Sequence, residues 1–195
     1  LDDNCQVRGV LPLVLLSSWL FGRFMVSLPY VNYGGVLADN LETMNALVSE
    51  AISRAERLDV EHIEFRHCKN SDLDWPKKEH KVSMRLDLPE TYDNLLKSFA
   101  PKLRSQIRRG EKEGMTTHVG QFELLNDFYA VFSLNMRDLG TPVYGKQFFA
   151  EILKALSADV RIISVRLGER PVAAGLVYGF RQMLEIPWAS SDRRY

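Results

Sequence analysis

Val172-Ala-Ala-Gly-Leu-Val-Tyr178 and Met183-Leu-Glu-Ile-Pro-Trp188, joined by a turn at Arg181-Gln182, decide the fold. Both runs are short and apolar, and turn residues bound them, so they read as strands of a hairpin, Val172–Phe180 and Met183–Ala189. A similar pattern stands near the start of the chain. Val10-Leu-Pro-Leu-Val-Leu-Leu16 and Phe24-Met-Val-Ser-Leu-Pro-Tyr30 flank the turn Trp19-Leu-Phe-Gly22. Each copy is a strand, a turn, and a strand ending in an apolar residue, proline and an aromatic. The repeat predicts two related units, 1–78 and 79–195, built on mixed α/β sheets. Chance likeness between two buried hairpins is the rival reading.

Between the hairpins the apolar period alternates between two and 3.6. Leu41–Leu58 reads as a helix with Met44, Leu47, Val48, Ala51, Ile52 and Ala55 inward, and His62–Arg66 as a strand. Lys69–Glu79 is polar and reads as a connection. Lys81–Leu88 alternates and predicts a strand, and Pro89–Phe99 a helix. Met115–Gln121 reads as a strand, Phe122–Leu139 and Lys146–Ala158 as amphipathic helices, and Val160–Leu167 as a strand.

Pro101-Lys-Leu-Arg-Ser-Gln-Ile-Arg-Arg-Gly-Glu-Lys-Glu-Gly114 predicts a basic helix. Proline suits its first turn and glycine its stop. Arg104, Arg108 and Lys112 recur at helical spacing on one side, with Leu103 and Ile107 beside them as anchors. Guanidinium groups hold phosphates through paired N–H donors, so the stripe suits a phosphate ligand. A solvated charged face is the plainer reading of the same residues.

The 195 residues carry no formal net charge and are 46% hydrophobic, which argues for packed cores and against a general nucleic-acid or charge-driven membrane-surface binder. Cys5 and Cys68 make no disulfide framework and read as reduced thiols. Val10–Phe21 is the most apolar run. It falls short of the roughly 20 residues that span a bilayer and reads as a buried strand entering a turn. His62, His67 and Cys68 lack a second ligand cluster, so no metal site is expected. His80 and His118 read as structural. No nucleophile triad and no phosphate-cradling glycine loop can be read.

Three stretches together resemble the FemAB-like branch of the GNAT acyltransferase superfamily. They are Lys102–Gly114, Asn135-Met-Arg-Asp-Leu-Gly-Thr-Pro-Val-Tyr144, and Arg170-Pro-Val-Ala-Ala-Gly175 leading to Glu185-Ile-Pro-Trp-Ala-Ser-Ser191. Asn32-Tyr-Gly-Gly-Val-Leu-Ala-Asp39 extends the likeness into the first unit. The nearest likeness is to FemAB-related proteins of exosortase/PEP-CTERM and exopolysaccharide systems. The resemblance implies tandem GNAT-like units. Residues 1–78 would hold the C-terminal part of one, and 79–195 the N-terminal and central part of the other, so both would be incomplete in a piece of a longer protein.

It also implies an acyl or aminoacyl transferase forming an amide on an amine of a peptidoglycan, envelope or exopolysaccharide precursor, in a bacterial cytoplasm or at the inner membrane surface. Acyl-CoA or aminoacyl-tRNA would be the donor, and a phosphate-bearing precursor the partner. Arg104, Arg108 and Arg137 would meet phosphate, and Tyr144 and Trp188 would shape the cleft. No catalytic residue is assigned. Met183–Ala189 would be the strand at the opening, with Pro187 forcing a break or an edge. Ser190 and Ser191 would bond substrate or cap a helix. The usual coenzyme A pyrophosphate segment does not follow that strand; Ser190-Ser-Asp-Arg-Arg-Tyr195 stands there instead. An ordinary acyl-CoA N-acyltransferase and a non-catalytic RNA-binding or scaffolding module are the alternatives.

Overall fold

The computed structural model describes residues 5–68, 75–78 and 82–195. His80, most of the Lys69–Glu79 connection and the first residue of the Lys81–Leu88 strand lie outside them. The chain divides into two compact units, Leu1–Lys81 and Val82–Tyr195.

In the first unit, β1 (Gly9–Val10) and β2 (Val14–Ser18) replace the single strand expected from Val10. Pro12 lies in the gap and has no N–H for a ladder. β2 pairs antiparallel with β3 (Gly22–Val26), and β3 pairs parallel with β5 (His62–Glu64). β4 (Leu37–Ala38) pairs with β1 in a separate sheet. A parallel neighbour requires a crossover, and α1 (Leu41–Arg57) supplies it. Asn40 caps this helix by accepting the Thr43 N–H at 2.8 Å. Val48, Ala51 and Ala55 are its buried residues, whereas Ile52 faces solvent against expectation, off the narrow stripe that the small sheet covers.

β3 stops at Val26, three residues before Pro29, because Leu28 and Tyr30 take left-handed backbones (φ +52° and +75°). Ser27, fully buried, holds the chain there. Its Oγ accepts the Arg66 N–H at 2.8 Å, so β5 also ends short of Arg66. His67 accepts the Val36 N–H through Nε2 at 3.3 Å, and burial lowers its pKa.

The second unit is a four-stranded antiparallel sheet. β6 (Met115–Gly120), β7 (Val160–Leu167), β8 (Arg170–Phe180) and β9 (Met183–Ser191) lie in chain order. α4 (Leu125–Asp138), entered through a 3-10 turn at Phe122–Leu124, and α5 (Lys146–Ala155) pack on it. Their apolar stripes meet the sheet in a core of Phe128, Phe132, Phe149, Leu153, Val160, Ile162 and Leu176.

α2 (Tyr92–Ser98) begins at Tyr92 rather than Pro89, because the Thr91 hydroxyl accepts the Asn94 N–H and sets the start. α3 (Pro101–Lys112) has the proline start, and Gly114 follows it at φ +83°. Residues 82–88 form no strand. Their alternation is real, but among the described residues no strand offers them a ladder, and Val82 and Met84 point into solvent. Leu103 likewise stands exposed, and α3 buries no residue.

Candidate functional site

α3 lies along a hollow of about 450 Å³ lined by Pro101, Arg104, Ser105, Arg108, Arg109 and Lys112. Its cations are not equivalent. Arg104 reaches back and donates through Nη1 to the carbonyls of Lys97 and Phe99, each at 3.2 Å. It therefore closes the end of α2, where the last carbonyls lack helical partners. Arg109 donates to Glu113 at 2.6 Å, one turn on, and that bond raises the guanidinium pKa. Arg108 and Lys112 are exposed, and no side-chain hydrogen bond or ion pair holds either among the described residues. Of the cations lining the hollow, Arg108 and Lys112 thus carry the charge not spent on a protein partner, and Lys102 stands exposed on the same helix outside that lining.

Tyr144 and Trp188 come together on one pair of phenylalanines. The Tyr144 ring packs on Phe148 at 5.3 Å, and the Trp188 indole on Phe148 and Phe149 at 5.7 and 5.4 Å. Trp188 is 9% exposed, so its place is the core, while Tyr144 keeps a solvent-facing side. The loop carrying Tyr144 is set by Gly140 at φ +66° and by the Thr141 N–H on the Met136 carbonyl at 2.9 Å. Arg137 is exposed and forks onto Asp138, at 3.0 and 3.2 Å. Arg104 and Arg108 stand on a different element from this aromatic group.

Pro187 sits where the β8–β9 register shifts, between Leu176 and Tyr178, and β9 has a neighbour on one side only among the described residues. Both consequences of a strand proline are met. Beside that irregularity Tyr178 donates to Glu185 at 2.5 Å across the strands. Burial first, then the carboxylate, drives its phenol pKa well above the ordinary value.

A second hollow, about 360 Å³, opens at Asn135, Ala189, Ser190 and Ser191. Asn135 Nδ2 donates to the Ser190 hydroxyl at 3.1 Å. Next to it the buried Asp192 accepts from Arg194 at 2.6 and 2.9 Å and from Arg170 at 3.2 Å. Sequence reasoning passed over Asn135, Asp192 and Arg194. The signal was a lone acid inside Ser-Ser-Asp-Arg-Arg, which says nothing about burial until β8 lies alongside.

Arg194, donating directly, holds the Asp192 carboxyl down to about 2. A depressed carboxyl contributes stability above its unfolded pKa of about 4 and loses it as pH falls through the folded value. Asp192→Asn is therefore expected to lower the melting temperature at about pH 6, with the gap to the parent closing between about pH 4 and 2. Melting curves across that range test it. A gap unchanged at the acid end, or none at neutrality, contradicts the assignment.

The family model described as an acetyltransferase (GNAT) domain matches residues 97–195. The chain belongs to the GNAT acetyltransferase family. The match begins within α2, takes in the basic helix, and runs through α4, α5 and the whole four-stranded sheet. The GNAT chain is also similar in fold to L-PGS from Bacillus licheniformis, with a TM-score of 0.51 at 14% identity. The alignment covers 96% of this chain and 59% of that one, so this GNAT chain spans about three fifths of the neighbour's length. No curated protein matches the sequence. No helix among the described residues is long and apolar enough to cross a membrane.

Proposed function

We propose that this GNAT chain is a FemAB-like transferase that forms an amide on an amine of a phosphate-bearing envelope or exopolysaccharide precursor. In this reading the amine attacks the activated carbonyl. A C–N bond forms, the ester bond of an aminoacyl-tRNA or the thioester bond of an acyl-CoA breaks, and the leaving group takes the proton lost by the amine. Such a transfer needs placement and a polarised carbonyl more than a reactive side chain. The reading includes tandem GNAT-like units, 1–78 and 79–195. Its support there is the hairpin that recurs as β2–β3 and β8–β9, each second strand followed or interrupted by proline.

The observation that carries the substrate class is the pair of exposed cations, Arg108 and Lys112, along α3. They are the acceptor's phosphate contacts in this reading. Arg104 contributes field while bonded to α2, and Arg137 and Tyr144 act from the α4 end. Arg108→Glu is expected to weaken binding of a nucleotide-diphosphate amino sugar by roughly tenfold at low ionic strength and less at high salt. Calorimetric titration reads this directly, and unchanged affinity would remove the stripe from the site. The family match also favours an ordinary acyl-CoA reaction as the second reading. Acetyl-CoA that raises the melting temperature, with label passing from it to a simple amine, selects that one.

A further inference from the structure

We propose that the hairpin tip Trp19-Leu20-Phe21 anchors the protein to a lipid surface by placing its three side chains in the interfacial layer of a bilayer. The proposal is independent of the transferase reading. Trp19 is 99% exposed, Leu20 69% and Phe21 72%. Three large apolar side chains in succession at a turn contradict the ordinary polar chemistry of hairpin loops.

The turn is also firmly built. The Ser18 hydroxyl accepts the N–H groups of Leu20 and Phe21 at 3.2 and 3.3 Å. Gly22 supplies the left-handed corner at φ +78°, and the Glu61 carboxylate lies so close that a Cβ on Gly22 would meet it. Two backbone N–H groups of the tip are thus satisfied by Ser18 while its three side chains stand largely in solvent.

Shape and composition select the occupant. The tip is a convex knob, not a groove. Trp, Leu and Phe together bury at most about 500–600 Å². That is less than the roughly 800 Å² each partner gives to a standard protein interface, so a second copy is a poor fit. A bilayer interface requires no matching surface, and tryptophan prefers it because its ring is apolar and its N–H is wet. The base of the knob carries Arg23 and Glu61, joined by the Glu61 N–H on the Arg23 carbonyl at 2.9 Å and the Arg23 N–H on the Glu61 carboxylate at 3.3 Å. One cation and one anion give no net field, so attachment is hydrophobic and indifferent to lipid charge.

The test is sedimentation of the chain with vesicles of phosphatidylcholine and, separately, of mixed phosphatidylethanolamine and phosphatidylglycerol. Binding to both is expected, changing less than about twofold on adding salt. The combined change Trp19→Ser, Leu20→Ser, Phe21→Ser is expected to cut the bound fraction about tenfold or more, with an unchanged melting temperature. Brominated phosphatidylcholine should quench the parent's fluorescence far more than that of Trp19→Phe, which still sediments. A parent that stays in the supernatant overturns the proposal, as does a serine variant that binds like the parent. Vesicle-free self-association that the serine variant abolishes, without lipid binding, also overturns it and assigns the tip to a second copy.

Discussion

Phe149→Ala is expected to destabilise the second unit by about 3–5 kcal/mol, the range for an aromatic truncated in a packed core. Phe149 has no exposed surface. Its ring stands edge-on to Phe128, Phe132, Phe148 and Trp188, at 5.0, 5.3, 5.2 and 5.4 Å. Edge-to-face pairs add about 0.5–1.5 kcal/mol each beyond the area they bury. The neighbours also hold one another, Phe128 stacked on Phe132 and Phe148 edge-on to Trp188, so collapse into the void gives up those ring contacts. The effect should therefore lie at the upper end. Phe149→Leu fills most of the volume and should cost about half as much. Urea unfolding followed by fluorescence measures both, because Trp188 is the buried indole while Trp19 and Trp75 are exposed. A loss below about 1 kcal/mol for the alanine variant would mean that the four rings do not meet at Phe149.

The same residues show what the sequence can and cannot disclose. The stripes of α4 and α5 were legible because burial on one face of a helix imposes a 3.6 period. The proline and glycine bounding α3 were legible because both act through local backbone geometry. Lys81–Leu88 misled because alternation is necessary for a half-buried strand but does not supply a partner. The Trp19-Leu-Phe-Gly22 turn was legible as a turn, through Gly22. Its exposure was not, since apolar content alone suggests an interior. The candidate site was the least legible part. Arg104, Arg108 and Lys112 share a spacing, yet the first spends its donors on the carbonyls of α2 and the other two do not. Spacing assigns a helix face; what the neighbouring helix end leaves unsatisfied assigns the bond.

Asp127 carries the second large effect, through contacts that no local pattern could reveal. It sits in the first turn of α4, where the helix dipole favours a carboxylate. Its Oδ2 accepts from Arg166 Nη2 at 2.6 Å and Nε at 2.8 Å, and from the Ser164 hydroxyl at 3.1 Å. Ser164 is fully buried on β7, and the side chains of Asp127 and Arg166 are 18% and 26% exposed. Asp127→Ala leaves a half-buried guanidinium and a buried hydroxyl without their acceptor. Removing one partner of a buried pair costs about 3–5 kcal/mol; the residual exposure of Arg166 lets water return, so about 2–3 kcal/mol is expected. The paired change Asp127→Ala with Arg166→Ala should cost less than the sum of the two single changes by roughly 1–2 kcal/mol, since much of each single cost is the orphaned partner. Urea unfolding of the four proteins closes the cycle. Additive losses would show that α4 is held to β7 by its apolar stripe alone, with the carboxylate and guanidinium each adequately solvated apart. A coupling of the expected size makes the pair a register pin. It fixes which turn of α4 stands over Ser164, and with it the position of the Arg137 and Tyr144 end of the helix.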